Sequence, residues 1–198
     1  MKDFWDKRFS EKKFAYGTEP NLFFAKEIKK LLPGKLLLLG EGEGRNAVFA
    51  AVNGWDTTAV DFSESGKEKA AKLAKENNVL IKYDIADLSE YQPTEDYFDV
   101  ISLIFVHLPE EVRENLHARI VQALKPGAVF IGQFFAKEQI NRNSGGPKSL
   151  EMLYGLDEIY SDFHEMELLK FDKETVVLNE GNYHNGAAEV IRIVAAKS

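Results

Sequence analysis

Three glycines stand two residues apart at the end of an apolar run, LLLLGEGEGRN, residues 36–46. Gly40, Gly42 and Gly44 at that spacing fit a buried strand that turns sharply into a helix. Glycine allows positive φ in such a turn and lets a ligand approach the backbone. A helix starting at Arg45–Asn46 would aim free N–H groups at that ligand. This is the chemistry of a nucleotide-cofactor loop. Asp61 follows 17 residues beyond Gly44, at the end of the next strand-like run. A carboxylate there can accept both hydroxyls of a ribose, and its charge repels a 2′-phosphate. The alternative role for Asp61 is a helix cap, but Ser63 is better placed for that. Asp84 ends a third run, where it can take an adenine amino group with Ile85 packed on the ring, or stay a solvated loop residue. His107 and His184 are the imidazoles placed to bind an anionic substrate or accept a proton. For His107 structural hydrogen bonding is an equal alternative, and His117 and His164 read as surface residues. Arg142 and Lys148 can bring positive charge to the same pocket as His184 and Tyr183, or remain solvated loop charges.

The elements that must position these groups alternate. A helical pattern runs from Asn21 to Leu32 and stops at Pro33–Gly34. Strands are expected at 35–39, 55–61, 79–84, 98–105 and 128–135. Helices are expected from Asn46 to Val52, from Ser63 to Asn77, and over 110–124 behind Pro109, with Val112, Leu116, Ile120 and Leu124 as the buried stripe. The charged residues of the helix after Ser63 read as a solvated face with i,i+4 pairs. This alternation implies a parallel sheet with helices on both faces and a site at the carboxyl ends of the strands. The last third changes character: a polar glycine-rich loop at 141–148, a helix near 156–163, and strand-like runs at 166–179 and 187–197 joined by a turn at 180–186. Two runs so joined make an antiparallel hairpin. The fold class expected is therefore α/β, a Rossmann-like doubly wound sheet, mostly parallel, with a C-terminal antiparallel hairpin.

Composition narrows the field. The 198 residues, 44% of them hydrophobic, suit one domain over 1–198 with a sizeable core. Within it, 1–20 reads as an N-terminal lid or arm, 35–135 as the cofactor core, and 141–198 as substrate loop, helix and hairpin. Phe4, Trp5 and Phe9 have packing on the core as their alternative to a lid. A net charge of −7 disfavours nucleic acid as a main substrate. Cysteine is absent, which excludes disulfides, a thiolate nucleophile and a thiolate metal site. No metal site is expected. The start, MKDFWDKRFSEKKF, lacks a secretory apolar segment, and the apolar stretches are too short to span a membrane. A cytoplasmic protein without a membrane partner, monomeric or a weak homodimer, is the expectation.

The strings LLLLGEGEGRN, AVDFS, KYDIADL, FDVISLIFVHLP and LKPGAVFI stand in order over residues 35–135. With the terminal hairpin they resemble the class I S-adenosylmethionine-dependent methyltransferases, seven-stranded proteins. FWDKRF…YGTEPN, GGP and YHNG look closest to the small tellurite-resistance-type and thiopurine-like branch. The resemblance implies S-adenosylmethionine as cofactor, S-adenosylhomocysteine as product, and a small-molecule acceptor, for which analogy suggests a thiol or a chalcogen oxyanion. It implies that Gly40, Gly42 and Gly44 pass the methionine part, with Glu41, Arg45 and Asn46 on the same loop. It sets Asp61 and Phe62 at the ribose, Asp84, Ile85 and Ala86 about the adenine, and Ile104 and Phe105 at the fourth strand end, with Arg8 and Tyr16 reaching in from the arm. Two departures stand out. Leu38 occupies a position where the family often has an acid, which leaves Glu41 or backbone carbonyls for the amino group; Ala128 replaces a turn glycine. Methyl transfer from a sulfonium needs alignment and a dry site more than acid–base help, so no catalytic triad is expected. The match Gly42-x-Gly44-x-x-Ala47 to a dinucleotide fingerprint keeps an NAD-dependent oxidoreductase open, and Leu38 keeps open a non-catalytic cofactor-binding protein of the same fold.

Overall fold

The computed structural model describes residues 2–198; Met1, the first residue of the expected arm, lies outside them. The elements run α1 (Lys2–Phe9), α2 (Leu22–Ile28), β1 (Lys35–Leu39), α3 (Arg45–Val52), β2 (Asp56–Asp61), α4 (Glu64–Glu76), β3 (Lys82–Ile85), β4 (Phe98–Ile104), α5 (Glu110–Ala123), β5 (Leu124–Phe135), α6 (Leu156–Phe163), β6 (Glu167–Glu180) and β7 (His184–Ala196). Seven strands form one sheet in the order β3-β2-β1-β4-β5-β7-β6. All neighbours pair parallel except β7, which is antiparallel to both β5 and β6.

The leucine run of β1 shows why the centre is apolar at every position. Leu36 and Leu38 pack with Phe24 and Ile28 of α2 and Ala47 and Ala50 of α3. Leu37 and Leu39 face the other way, into the cluster of Leu116 and Ile120 of α5 and Phe163 of α6. Alternation points successive side chains to opposite faces, and both faces are covered. The order reverses between β1 and β4, so the carboxyl ends of β1, β2 and β4 open onto one crevice.

Several boundaries differ from expectation, each for a local reason. The helix after Asn21 stops at Ile28, because Lys30 and Leu31 donate to the carbonyls three residues back and Pro33 excludes a further turn. Leu32 is thereby left exposed. The third strand begins at Lys82 rather than 79, because the end of α4 takes Asn78 into the left-handed region at φ 55°. There the N–H of Asn78 bonds the Lys75 carbonyl and that of Val79 the Ala74 carbonyl, so Val79 turns back on Leu73 and Ala74. Ser63 caps α4 as expected, accepting from Gly66 N at 3.0 Å. The fifth strand starts four residues early, at Leu124, with Lys125–Pro126–Gly127 carried as an irregularity against β4. The hairpin turn is only residues 181–183.

The stripe of α5 needs correction. Leu116, Ile120 and Leu124 are buried, but Val112 is only half-buried and the stripe runs instead through Arg113, His117 and Ala123. His117 is therefore not a surface residue. Its Nδ1 lies 2.7 Å from Asp162 of α6, which also accepts from Arg113 Nε at 2.8 Å. His164, at the end of α6, is exposed as expected. Charged residues can hold the α5–α6 contact because each one has a partner. These hydrogen bonds hold the Asp162 carboxyl below its ordinary value of 3.8 although burial alone would raise it. A depressed carboxylate contributes stability above its unfolded pKa and loses it as pH falls through the folded one. Urea unfolding of Asp162→Asn at neutral pH is expected to show a loss of about 3 kcal/mol, because the buried Arg113 keeps only the exposed Glu114 at 3.4 Å as its carboxylate. The gap to the wild type narrows below pH 3.8. A gap that is constant with pH contradicts this account.

Candidate active site at the carboxyl edge of the sheet

The glycine loop leaves β1 with Gly40, Gly42 and Gly44 at φ 66°, 60° and 84°. At all three positions space is as restrictive as backbone angle. A Cβ on Gly40 would lie 2.5 Å from Val106 Cγ2, and one on Gly44 would lie 2.4 Å from Ala70 Cβ. Gly44 thus lets α3 and α4 approach, while Gly40 lets the segment after β4 close on the loop.

Asp61 ends β2 facing this loop. Its Oδ2 accepts from Gly42 N and its Oδ1 from Ser63 N, each at 3.0 Å. Burial pushes the carboxyl up, and the backbone N–H groups oppose the shift. Each oxygen retains lone-pair capacity for a second donor, which a ribose diol supplies. Tyr83 clamps the loop from β3, donating to Gly42 O at 2.6 Å. Ala86 N bonds Asp61 O at 3.1 Å, so the ends of β2 and β3 are tied. Phe62, Asp84, Ile85 and Ala86 are half-buried along this rim, Asp84 with Lys82 at 3.3 Å.

The charged residues between the glycines mainly serve the loop and the arm. Glu41 accepts from Ala47 N at 2.7 Å and Asn46 Nδ2 at 3.4 Å, capping α3, whose cap residue Gly44 has no side chain. Burial raises its carboxyl to about 7. Glu43 accepts from Ala15 N at 2.7 Å and Lys69 Nζ at 2.6 Å. Arg45 donates to Tyr16 O at 3.2 Å and pairs with Glu180 at 2.7 Å. Asn46 Oδ1 accepts from Asn21 N at 2.8 Å. Glu43, Arg45 and Asn46 thus fasten residues 15–21 over the loop. Leu38 lies in the core between sheet and helices, so an acid at that position would be buried among α2 and α3.

The arm carries α1, a helix the sequence did not disclose. Phe9 is buried where a Cβ on Gly42 would be, 2.8 Å from its ring, while Phe4 is largely exposed. Arg8 donates to the Tyr16 hydroxyl at 3.0 Å and lies 4.2 Å from the centre of the Tyr183 ring. Tyr183 in turn bonds Glu11 at 2.8 Å.

Beyond β4 the chain turns on Phe105, whose φ of 57° is unusual for a bulky side chain. Its ring stacks on Phe135 at 4.3 Å and meets His184 edge-on at 4.6 Å. Ile104 is half-buried just before it. His107 is held differently: Nδ1 donates to Met152 O at 2.6 Å and Nε2 accepts from Phe135 N at 3.1 Å. Burial keeps this ring neutral, with its pKa near 3, and both nitrogens are engaged by backbone. The structural alternative for His107 has this geometry behind it.

His184 opens β7. Its ring is buried between Tyr16 at 4.3 Å and Phe135 at 5.3 Å, and a Cβ on Gly145 would lie 2.5 Å from its Cδ2. Nδ1 faces Glu180 at 3.4 Å, and among the described residues Nε2 has no hydrogen-bond partner. Burial lowers the imidazole pKa, and Glu180 opposes this. Loop 141–148 and the hairpin meet here: Asn185 N bonds Ser144 O at 3.1 Å and Ser144 Oγ bonds Ala187 O at 2.6 Å. Through Glu180 and Arg45 this assembly stands on the same edge as the glycine loop. Arg142 is paired with Glu189 at 2.6 Å, and Lys148 donates to Arg142 O. Both loop cations thus have partners outside the His184 ring cluster. Among the described residues no group of three or more His, Asp or Glu side chains could hold a metal ion.

Glu43, Tyr83, Phe135 and Glu180 belong to this site and are absent from the sequence reading. No local signal marked Glu43, whose partners Ala15 and Lys69 stand 28 and 26 residues away. For Glu180 only His184, four positions on, is a neighbour in sequence; Asn21 and Arg45 stand 159 and 135 residues earlier.

Residues 36–127 match the family model of a methyltransferase domain. The sheet with its antiparallel β7 is likewise found in solved methyltransferases. An S-adenosylmethionine-dependent methyltransferase from Methanosarcina mazei superposes with a TM-score of 0.72 at 15% identity, over 90% of this chain and 98% of the other. TehB from Haemophilus influenzae superposes with a TM-score of 0.75 at 17% identity, over 100% of this chain and 67% of that one. The fold is thus shared with solved S-adenosylmethionine-dependent methyltransferases, and residues 36–127 resemble a methyltransferase domain. In sequence the chain is 30% identical over 129 residues to a 2-heptyl-1-hydroxyquinolin-4(1H)-one methyltransferase of Mycobacteroides abscessus, over 61% of this chain and 57% of that protein. The chain spans about half the length of the curated relatives it matches. Among the described residues no helix is long and apolar enough to cross a membrane.

Proposed function

We propose that this protein transfers a methyl group from S-adenosylmethionine to a small acceptor with a soft nucleophile, a thiol or a reduced chalcogen. The observation that carries the cofactor assignment is the contact of buried Asp61 with Gly42 N at the β1–β2 edge. It leaves a carboxylate beside a loop whose Gly40 admits Val106 so closely that a Cβ there would lie 2.5 Å from Val106 Cγ2. Gly40 and Gly42 would face the methionine part, Asp61 the ribose, and Ile85 with Asp84 the adenine. The cofactor, when bound, supplies a methyl group already activated by the sulfonium charge. The chain supplies position, exclusion of water by the arm, and a place for the acceptor's proton.

The acceptor pocket of this reading is the ring cluster of Tyr16, Phe105, Phe135 and His184. Sulfur makes favourable contacts with aromatic edges, worth about 0.3–1.5 kcal/mol each. A neutral His184 with a free Nε2 can take the proton of a thiol as its sulfur becomes the nucleophile. Nothing favours an oxidoreductase: the dinucleotide fold extends its parallel order to a sixth strand, whereas here an antiparallel β7 intervenes after β5. Calorimetry tests the cofactor: S-adenosylhomocysteine is expected to bind at about 1 μM, near −8 kcal/mol, with no heat from NAD. Binding of NAD in place of both forms of the methyl cofactor would overturn the reading.

A further inference from the structure

We infer that Glu180 is a positioning residue for the methyl-transfer step, fixing His184 with Nδ1–H toward its carboxylate and the Nε2 lone pair toward the acceptor. The inference rests on the proposed role of His184. Glu180 is 9% exposed at its side chain and sits at the last position of β6, in register with His184 across the hairpin. Its Oε1 accepts from Asn21 Nδ2 at 2.8 Å; its Oε2 accepts from Arg45 at 2.7 Å and faces His184 Nδ1 at 3.4 Å. One carboxylate thus touches the arm, the helix behind the glycine loop and the imidazole. All three neighbours can present donors, so a carboxylate, which only accepts, satisfies them together. An amide cannot, since its NH2 would face a donor.

This arrangement selects the tautomer. With Nδ1 donating to Glu180, the ring proton is committed and Nε2 is the acceptor. A bound thiol would pass its proton to Nε2 as its sulfur forms the new S–CH3 bond; the cofactor, when bound, would supply that methyl group and keep the electron pair of the bond it loses. The imidazolium so formed faces Glu180, which offsets its charge, and later releases the proton to solvent. The other titratable and charged groups around the ring are Arg45 of α3, Arg8 of α1, Tyr16 of the arm and His107 after β4. The two arginines disfavour the imidazolium, as does His107 when protonated. Glu180 is the carboxylate that opposes them at contact distance.

The test is NMR of the 15N-labelled imidazole with S-adenosylhomocysteine bound, together with turnover of S-adenosylmethionine using 2-mercaptoethanol as acceptor. In Glu180→Gln the His184 titration midpoint is expected to fall, the Nδ1–H population to drop, and turnover to fall about tenfold, less than the ~100-fold or more of losing the base itself. Glu180→Asp, which keeps the charge beside Arg45, should recover most of the midpoint and the rate. Where Glu180→Gln does not fold, Arg45→Met probes the same field from the other side and should raise the midpoint. A wild-type midpoint and tautomer in Glu180→Gln, or an unmoved midpoint in Arg45→Met, overturns the inference. Normal turnover in His184→Ala overturns the acceptor-site reading beneath it. An inactive His184→Ala beside a wild-type-like Glu180→Gln overturns the positioning role alone.

Discussion

Replacing Asp61 by alanine is expected to weaken S-adenosylhomocysteine binding by about 2–4 kcal/mol, since hydrogen bonds to a charged acceptor are worth about 1.5–3 kcal/mol each and add imperfectly. Two contributions are lost together. The ribose loses an acceptor, and Gly42 N and Ser63 N lose theirs, so the loop that should face the methionine part is released. A cycle with the 2′-deoxy cofactor product separates them. Wild-type protein should discriminate against the deoxy compound and Asp61→Ala should not, while whatever weakening remains for the deoxy compound measures the loop. The fold is expected to survive, because Ser63 still caps α4 through Gly66 N. Calorimetry showing equal affinity in wild type and mutant removes Asp61 from the site.

His184→Ala is expected to lower turnover with 2-mercaptoethanol by about a hundredfold, the scale of a lost general base, with S-adenosylhomocysteine affinity unchanged. The ring touches Tyr16, Phe105 and Phe135 but none of Gly40, Gly42 or Asp61 in the ring contacts and bonds described above. The pH profile gives a second check. Only the neutral ring accepts a proton, and burial lowers its pKa from the ordinary 6.5. The wild-type rate should therefore rise with pH through a midpoint below 6.5 and level off above it. In the alanine variant that limb should vanish. Normal turnover, or a limb that persists in the variant, excludes His184 as the proton acceptor.

Local rules made the cofactor half of the chain legible. Gly40, Gly42 and Gly44 declared the turn, Ser63 the start of α4, and Asp61 the end of β2. Each of these features works within a few residues, where backbone sterics and caps act. The unbroken apolar run closing on Gly40 placed β1 at 35–39, its observed span. The last third was legible in outline, as a helix at 156–163 and an antiparallel pair. The pair's register and the insertion of β7 between β5 and β6 were not, because register is set by which faces find a core.

What the sequence by itself determined is the sheet, the loop and the acid at the second strand end, since periodicity and glycine spacing are properties of neighbours along the chain. What only the tertiary structure decided is the use of the polar side chains. His117 looked like a surface residue until Asp162, 45 positions later, gave its ring a buried partner. His107 stood evenly between a substrate role and structural hydrogen bonding until Met152 O and Phe135 N occupied both nitrogens. Arg45 was expected on the cofactor loop, and the fold sets its guanidinium on Tyr16 O and Glu180. A buried charge or imidazole is governed by partners that desolvation compels it to find, and those partners are brought together by the fold rather than by proximity in the chain.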